Sequence, residues 1–155
     1  MNLKPNVSRK KYNLLKNLRQ NFFMCSENNR HKNGTEWRNF YGRFKGKSLS
    51  ATQTKALLTE FEKYSLKNIS WEDNPLRKKI KLAEIFDEKP VWLEIGFGGG
   101  EHLIHQARLN PNIGFIGCEP YQNGVAKLMG KLNANPCQNI KLYDGDVRNI
   151  FDVLA

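Results

Sequence analysis

Cysteine is scarce in this sequence. The three cysteines, Cys25, Cys118 and Cys137, form no Cys-x-x-Cys pair, and their odd number and wide spacing argue against a disulfide framework. His102 and His105 would lie one helical turn apart, but no third ligand stands near them in the sequence. We therefore expect no metal site, and we expect Cys118 and Cys137 to be buried packing residues.

Long apolar runs are also missing. No run reaches the roughly 18 residues needed to span a bilayer. Residues 1–26 lack the uninterrupted apolar core of a signal peptide, but they are basic and contain no Asp or Glu, so an organelle transit peptide stays open. The interpretation we favour is a cytoplasmic protein without a membrane partner.

Acidic residues are nearly absent from the front of the chain. Residues 1–47 hold 12 Lys and Arg against Glu27 and Glu36, whereas residues 90–155 hold 5 basic and 6 acidic residues. A net charge of +10 concentrated at one end indicates an anionic partner, either nucleic acid or a membrane surface. The alternative is a solvated basic tail.

Within that basic front, residues 1–36 are predicted to be a disordered extension, with a short amphipathic helix as an alternative. Arg43, Lys45 and Lys47 then alternate with aromatic residues and glycines. Cations on a backbone that permits close approach suit phosphate contacts, and the aromatic rings can stack on bases. A surface loop with scattered cations is the competing interpretation.

Two helices are predicted to follow. Ser50 with Gln53 three residues later forms a capping box, in which the two side chains satisfy backbone N–H groups reciprocally. A second helix is predicted to begin with Asn74 as N-cap and Pro75 in the first helical position. Its inward-facing residues would be Leu76, Ile80 and Ala83.

From Val91 onward the pattern changes to short apolar runs alternating with helical spacing. A run bounded by Pro90 and Gly96 is typical of a buried parallel strand. The predicted order is β-α-β-α-β-α, an α/β doubly wound fold with a parallel sheet. The predicted strands are 91–95, 114–118 and 139–143, and the predicted helices are 101–110, 121–133 and one starting near 147.

A glycine loop follows the first predicted strand. Its spacing is Gly96-x-Gly98-x-Gly100, with Glu94 just before it, and it departs from the dinucleotide pattern GxGxxG because Glu101 takes the place of the third glycine. The carboxylate of Glu94 at the entrance of the loop would repel a pyrophosphate but attract a ligand that carries a sulfonium and an ammonium group. The loop therefore favours S-adenosylmethionine as its ligand.

Carboxylates end the other two predicted strands. Glu119 lies near the offset expected of an acid that accepts hydrogen bonds from ribose hydroxyls. Asp146 is the candidate acceptor for an adenine amino group, with Asp144 as the fallback. The alternative for each acid is a helix N-cap or turn residue.

Together these segments resemble the bacterial tRNA (guanine-N7)-methyltransferase family. The resemblance rests on residues 93–103 (Leu-Glu-Ile-Gly-Phe-Gly-Gly-Gly-Glu-His-Leu), on 114–120 with the Asn-Gly-Val at 123–125, and on the Asp-Gly-Asp at 144–146. The basic segment 40–47 is similar to the family's N-terminal segment.

This resemblance implies a Rossmann-like methyltransferase fold that moves a methyl group from S-adenosylmethionine to guanine N7 in the variable loop of tRNA. Three parts are expected: an extension (1–36), a tRNA-contacting region (37–89) and half of a cofactor-binding domain (90–155). Matching motifs assigns the cofactor to Glu94, Gly96, Gly98, Gly100, Glu119 and Asp146, and RNA phosphates to Arg43, Lys45 and Lys47.

The family's fourth strand, which ends in a Pro-Asp-Pro-Trp-like motif, has no counterpart in these residues. The resemblance places the catalytic residues there, so none is assigned. We predict an inactive, truncated methyltransferase whose first strand is an open apolar edge. One half of a split enzyme, a non-catalytic RNA-binding remnant and a methyltransferase of another RNA are the alternatives.

Overall fold

A computed structural model describes residue 38 and residues 42–154 of this chain. The extension predicted over 1–36, with its possible helix, lies outside the described residues. The helices are α1 (Ala51–Tyr64), α2 (Leu82–Phe86), α3 (Glu101–Leu109), α4 (Gln122–Ala134) and α5 (Val147–Phe151). The strands are β1 (Val91–Ile95), β2 (Gly114–Cys118) and β3 (Ile140–Tyr143).

The three strands form one parallel sheet in the order β1-β2-β3. Every residue of β2 is buried, as expected of a central strand covered on both faces. Helices connect successive strands, so the predicted α/β pattern is confirmed, with boundaries within one residue or so of those expected. The capping box of Ser50 and Gln53 at the start of α1 is also confirmed.

The prediction of a helix starting at Pro75 was wrong. The Asn74 side chain accepts a hydrogen bond from the Lys78 N–H (2.9 Å) and donates one to the Lys78 carbonyl (2.8 Å). These bonds close an irregular turn, and the helix begins only at Leu82. A short polar side chain that caps a helix satisfies a tight turn equally well, and local sequence does not distinguish the two.

Arg77 holds this turn in place. It adopts a left-handed backbone with φ +49°, and its guanidinium donates to the carbonyls of Ile69 (2.7 Å) and Asn149 (2.6 Å). The same group lies over the Trp71 ring, 4.5 Å from its centroid. Leu76, expected to face inward, is 76% exposed because the chain turns here.

The two edges of the sheet differ. Leu66 donates its N–H to the Leu142 carbonyl (2.7 Å), so the segment after α1 covers the outer edge of β3. Among the described residues no strand covers β1. Its side chains Trp92 and Ile95 are 50% and 58% exposed, which agrees with the predicted apolar edge.

The core lies on both faces of the sheet. One face packs α1, α3 and α4 around Leu103, Leu128 and Met129, and the other packs α2 and α5 around Ile116 and Ile150. Cys118 and Cys137 are buried as predicted.

Two negative findings apply to the part of the chain that the structure describes. None of its helices combines the length and hydrophobicity that crossing a bilayer requires. No group of three or more His, Cys, Asp or Glu side chains in residues 38 and 42–154 is arranged to hold a metal ion.

Candidate functional site

The carboxyl ends of the three strands lie side by side. Ile95 pairs with Cys118, and Cys118 with Tyr143. Just past the strands, the Gly96 N–H donates to the Cys118 carbonyl (2.8 Å) and the Glu119 N–H to the Tyr143 carbonyl (3.0 Å). The glycine loop, Glu119 and the Asp-Gly-Asp segment therefore leave the sheet from one rim, where open α/β sheets bind their ligands.

The glycine loop depends on its glycines for shape. Gly96, Gly98 and Gly100 have φ of +75°, +55° and +76°, a left-handed conformation that residues with a side chain rarely adopt. Space beside Gly96 and Gly98 is open, since a Cβ there would meet nothing within 4 Å. At Gly100 the added atom would stand 2.5 Å from Leu128. The first two glycines thus face space that a ligand can enter, whereas the third packs against α4.

Glu119 connects the glycine loop to α4. Its side chain accepts from the Gly98 N–H at Oε2 (2.8 Å) and from the Tyr121 N–H at Oε1 (2.9 Å). The residue is only 8% exposed. Because each carboxylate oxygen carries two lone pairs, both oxygens keep acceptor capacity for hydroxyl groups. Glu119 therefore connects the glycine loop to the start of α4 and is also a candidate acceptor for ribose hydroxyls.

Glu94 points from the end of β1 toward the first turn of α3. Its Oε2 lies 2.8 Å from Nδ1 of His102. The His102 side chain is exposed, and it pairs with the candidate ammonium-binding carboxylate. His102 directly follows Glu101 at the end of the glycine loop. This position within the motif was the feature of the sequence that could have indicated its pairing with Glu94.

Lys131 is a site residue that the sequence did not reveal. From α4 its ammonium donates to the Gly99 carbonyl (2.6 Å) and also pairs with the Glu101 carboxylate. It therefore connects the glycine loop to α4. Nothing in the local pattern links a lysine on one helix to a loop 32 residues earlier.

Asp146 is the N-cap of α5. Its Oδ1 accepts from the Arg148 N–H (2.9 Å), and both oxygens accept from the Arg148 guanidinium. Burial acts to raise the pKa of Asp146, but the hydrogen bonds and charge of Arg148 outweigh it and hold that pKa below its ordinary value. The capping alternative is thus confirmed, and the adenine role stays a prediction.

A pH test follows from this cap. Asp146→Ala is expected to destabilise the fold by about 1 kcal/mol at pH 7, the usual cost of losing an N-cap. Because the folded pKa lies below the ordinary value of 3.8, the stabilisation is complete above that value and is lost as pH falls through the folded pKa. Urea unfolding of both proteins from pH 7 to pH 2.5 measures it. A difference that persists undiminished at pH 2.5 would contradict the assignment.

Burial acts on two neighbouring titratable groups at the rim. Burial raises the pKa of the Asp144 carboxyl, and it raises the pKa of the Cys118 thiol to about 12. The protonated Cys118 thiol donates to the Gly145 carbonyl at 3.3 Å. Perturbed carboxyls of this kind concentrate at functional sites, so Asp144 remains a second candidate beside Asp146.

The described part of the basic segment, residues 42–47, lies against the start of α4. The Gln122 N–H donates to the Phe44 carbonyl (3.0 Å), and the Asn123 side chain bonds to the backbone of Gly46 and Lys47. This contact places the segment beside Tyr121, the residue whose N–H binds Glu119. The three cationic residues of the segment, Arg43, Lys45 and Lys47, are all exposed.

Comparison with known proteins agrees with this arrangement. Residues 88–155 match the family described as "Putative methyltransferase". Three relatives are named tRNA (guanine-N(7)-)-methyltransferase. The protein of Ruegeria sp. is 49% identical, and the match covers 81% of this chain and 49% of the relative. The proteins of Roseobacter denitrificans and Cereibacter sphaeroides are 54% and 50% identical, over 76% and 78% of this chain and 50% of each relative.

The chain is similar in sequence to tRNA (guanine-N(7)-)-methyltransferases, and its residues 88–155 match a methyltransferase family. It spans about half the length of the curated relatives it matches. A methyltransferase family implies S-adenosylmethionine as the methyl donor. The resemblance inferred from the glycine loop and the strand-end acids is therefore confirmed at the level of the family, while the role of each residue stays a prediction.

The structure brings together most of the predicted site residues. The glycine loop and Glu119 are joined by a hydrogen bond, and the basic segment is attached two residues beyond Glu119. Glu94 and Asp146 stand at the ends of β1 and β3 with partners of their own, His102 and Arg148.

Proposed function

We propose that this chain forms the S-adenosylmethionine-binding part of an enzyme that methylates guanine N7 in tRNA. The observation that carries the proposal is the single rim on which an open glycine loop, two strand-end carboxylates and a docked basic segment meet. The similarity to named methyltransferases supports the same assignment. A different RNA substrate remains the alternative within the same reaction class.

The rim offers what the cofactor needs. Gly96 and Gly98 leave their backbone open to a ligand, so the methionine part can lie close above the loop. Glu94, at the mouth, attracts the ammonium group, and Glu119 accepts the ribose hydroxyls with the lone pairs left by its two backbone bonds. Asp146 or the adjacent Asp144 accepts the adenine amino group.

The basic segment supplies the RNA contacts. Arg43, Lys45 and Lys47 are exposed on a stretch whose backbone is bonded to α4, beside the cofactor rim. Phosphate contacts of this kind position the nucleic acid without determining its sequence specificity, and they weaken with salt. The segment therefore brings RNA to the cofactor, and recognition of the guanine base requires further residues.

The reaction requires mainly that guanine N7, the methyl carbon and the sulfur be aligned. A bond forms between guanine N7 and the methyl carbon while the bond between that carbon and sulfur breaks, and the electron pair stays on sulfur. Because the N7 lone pair is unprotonated near neutral pH, no general base is needed. Holding the two reactants in line supplies roughly 7–11 kcal/mol of the barrier reduction.

A polypeptide of residues 1–155 is expected to bind S-adenosylmethionine in calorimetry and to transfer no methyl group to tRNA, because the family's Pro-Asp-Pro-Trp-like motif is not among these residues. Glu94→Gln should weaken binding about ten-fold by removing one charge interaction. Glu62→Gln, a change in an exposed ion pair on α1, is the matched control.

Three outcomes would contradict this proposal. Methyl transfer by residues 1–155 alone would show that the missing motif is not required. Binding of tRNA without binding of S-adenosylmethionine would favour the non-catalytic RNA-binding alternative. Equal affinities for Glu94→Gln and Glu62→Gln would remove Glu94 from the cofactor site.

A further inference from the structure

One side chain makes two of the hydrogen bonds that attach the basic segment to α4. Oδ1 of Asn123 accepts from the Gly46 N–H at 2.9 Å, and Nδ2 donates to the Lys47 carbonyl at 2.7 Å. A third bond, from the Gln122 N–H to the Phe44 carbonyl (3.0 Å), lies next to these two. Asn123 thus bonds both a backbone donor and a backbone acceptor of the segment, because a side-chain amide carries both groups.

The same helix turn contacts the cofactor rim. Tyr121, the N-cap of α4, donates its N–H to Oε1 of Glu119, and Oε2 of Glu119 accepts from Gly98. The Tyr121 hydroxyl also lies against Gly46, where an added Cβ would stand 2.1 Å from it. A short, continuous set of contacts therefore joins the basic segment to the glycine loop.

We propose that Asn123 is the positioning residue that fixes the basic segment relative to the methyl donor. The inference rests on the proposed function. By holding the backbone of Gly46 and Lys47, the Asn123 amide orders the exposed cations Arg43, Lys45 and Lys47 before RNA arrives. Ordering these residues on binding would otherwise cost conformational entropy, which reduces affinity without removing any charge contact.

This role has a distinctive signature. Removing a phosphate-binding lysine lowers the slope of log affinity against log salt by about 0.9 per contact. Removing Asn123 leaves every cation in place, so the affinity falls at each salt concentration while the slope stays close to its original value. The cofactor affinity should not change, because the bonds from Glu119 to Gly98 and Tyr121 use no atom of the Asn123 side chain.

The experiment uses the full chain with Asn123→Ala, Asn123→Asp and the control Asn133→Ala, an exposed position on the same helix. Binding of an unmodified tRNA transcript is measured across a salt series, S-adenosylmethionine binding by calorimetry, and the Gly46 amide by hydrogen exchange. Asn123→Ala should weaken tRNA binding about ten-fold with an unchanged slope and speed exchange at Gly46. Asn123→Asp, which keeps the acceptor for Gly46, should fall between.

The outcomes separate the two proposals. Equal tRNA affinities for Asn123→Ala and Asn133→Ala overturn the present inference alone, as does a parallel loss of cofactor affinity, which would assign Asn123 to the fold of the cofactor site. Failure of the unaltered chain to bind tRNA overturns both this inference and the RNA part of the proposed function.

Discussion

Replacing Glu119 by alanine is expected to cause the largest loss of cofactor binding, together with a loss of stability. The substitution leaves the N–H groups of Gly98 and Tyr121 without their acceptor in a nearly buried position. An unsatisfied buried donor costs about 1–3 kcal/mol, so we expect a destabilisation of about 2–4 kcal/mol. Losing the ribose acceptor should lower S-adenosylmethionine affinity on the order of 100-fold.

Glu119→Gln distinguishes the effect of losing the carboxylate charge from the effect of losing the side-chain volume. The amide fills the same space, but its NH₂ group must face one of the two backbone donors, so binding and stability should both fall, less than with alanine. Glu62→Ala breaks only an exposed ion pair and is the control, with an expected change below about 1 kcal/mol. Chemical denaturation and calorimetry measure the two quantities. A Glu119→Ala protein with unaltered cofactor affinity would exclude Glu119 from the site.

Two glycines on α4 should respond to alanine with opposite signs. A Cβ at Gly124 would stand 2.4 Å from the backbone carbonyl oxygen of Gly98, so α4 or the glycine loop must move. Gly124→Ala is expected to destabilise the protein by about 1–3 kcal/mol, the usual range for overpacking. It should also weaken cofactor binding, because the displaced carbonyl belongs to the loop.

Gly130 provides the matched control for this prediction. It lies exposed on the same helix, and a Cβ there would meet nothing within 4 Å. Gly130→Ala should stabilise the protein by about 0.5–1 kcal/mol, since alanine is the better helix former. Thermal unfolding with and without S-adenosylmethionine compares the pair. Equal shifts for both variants would show that α4 does not press on the glycine loop.

These predictions depend on one structural property of the rim. Glu119 and Gly124 act on the glycine loop through backbone groups of Gly98, and Lys131 holds the adjacent Gly99 carbonyl. The loop is therefore shaped by α4 as much as by its own glycines. Mutations of the α4 residues that contact this loop, Gly124 and Lys131, should consequently alter cofactor binding.

Local sequence was sufficient to predict the strands of the sheet and the glycine loop. The apolar runs of β1 and β2, each bounded by turn residues, predicted strands because a buried parallel strand needs continuous apolar character. The glycine spacing predicted the loop because positive φ angles are accessible to glycine at little cost. Both signals lie within a few consecutive residues.

Local sequence left open which partner a short polar side chain takes. Asn74 suited a helix N-cap, yet it closes a turn that Arg77 stabilises through carbonyls of Ile69 and Asn149. Asp146 suited either an N-cap or an adenine acceptor; the structure shows it capping α5 and pairing with Arg148, and the adenine role stays a prediction. A short polar side chain has several chemically acceptable partners, and the surrounding packing decides which of them it meets.

The sequence by itself determined the parallel α/β order, the end of the sheet that holds the candidate site and the basic front of the chain, because these follow from short-range patterns of hydrophobicity, glycine and charge. Only the tertiary structure decided that Glu119 supports the loop, that Lys131 holds it and that Asn123 attaches the basic segment beside it. Those contacts join residues far apart in sequence, and hydrogen-bond geometry between them exists only once the helices have packed on the sheet.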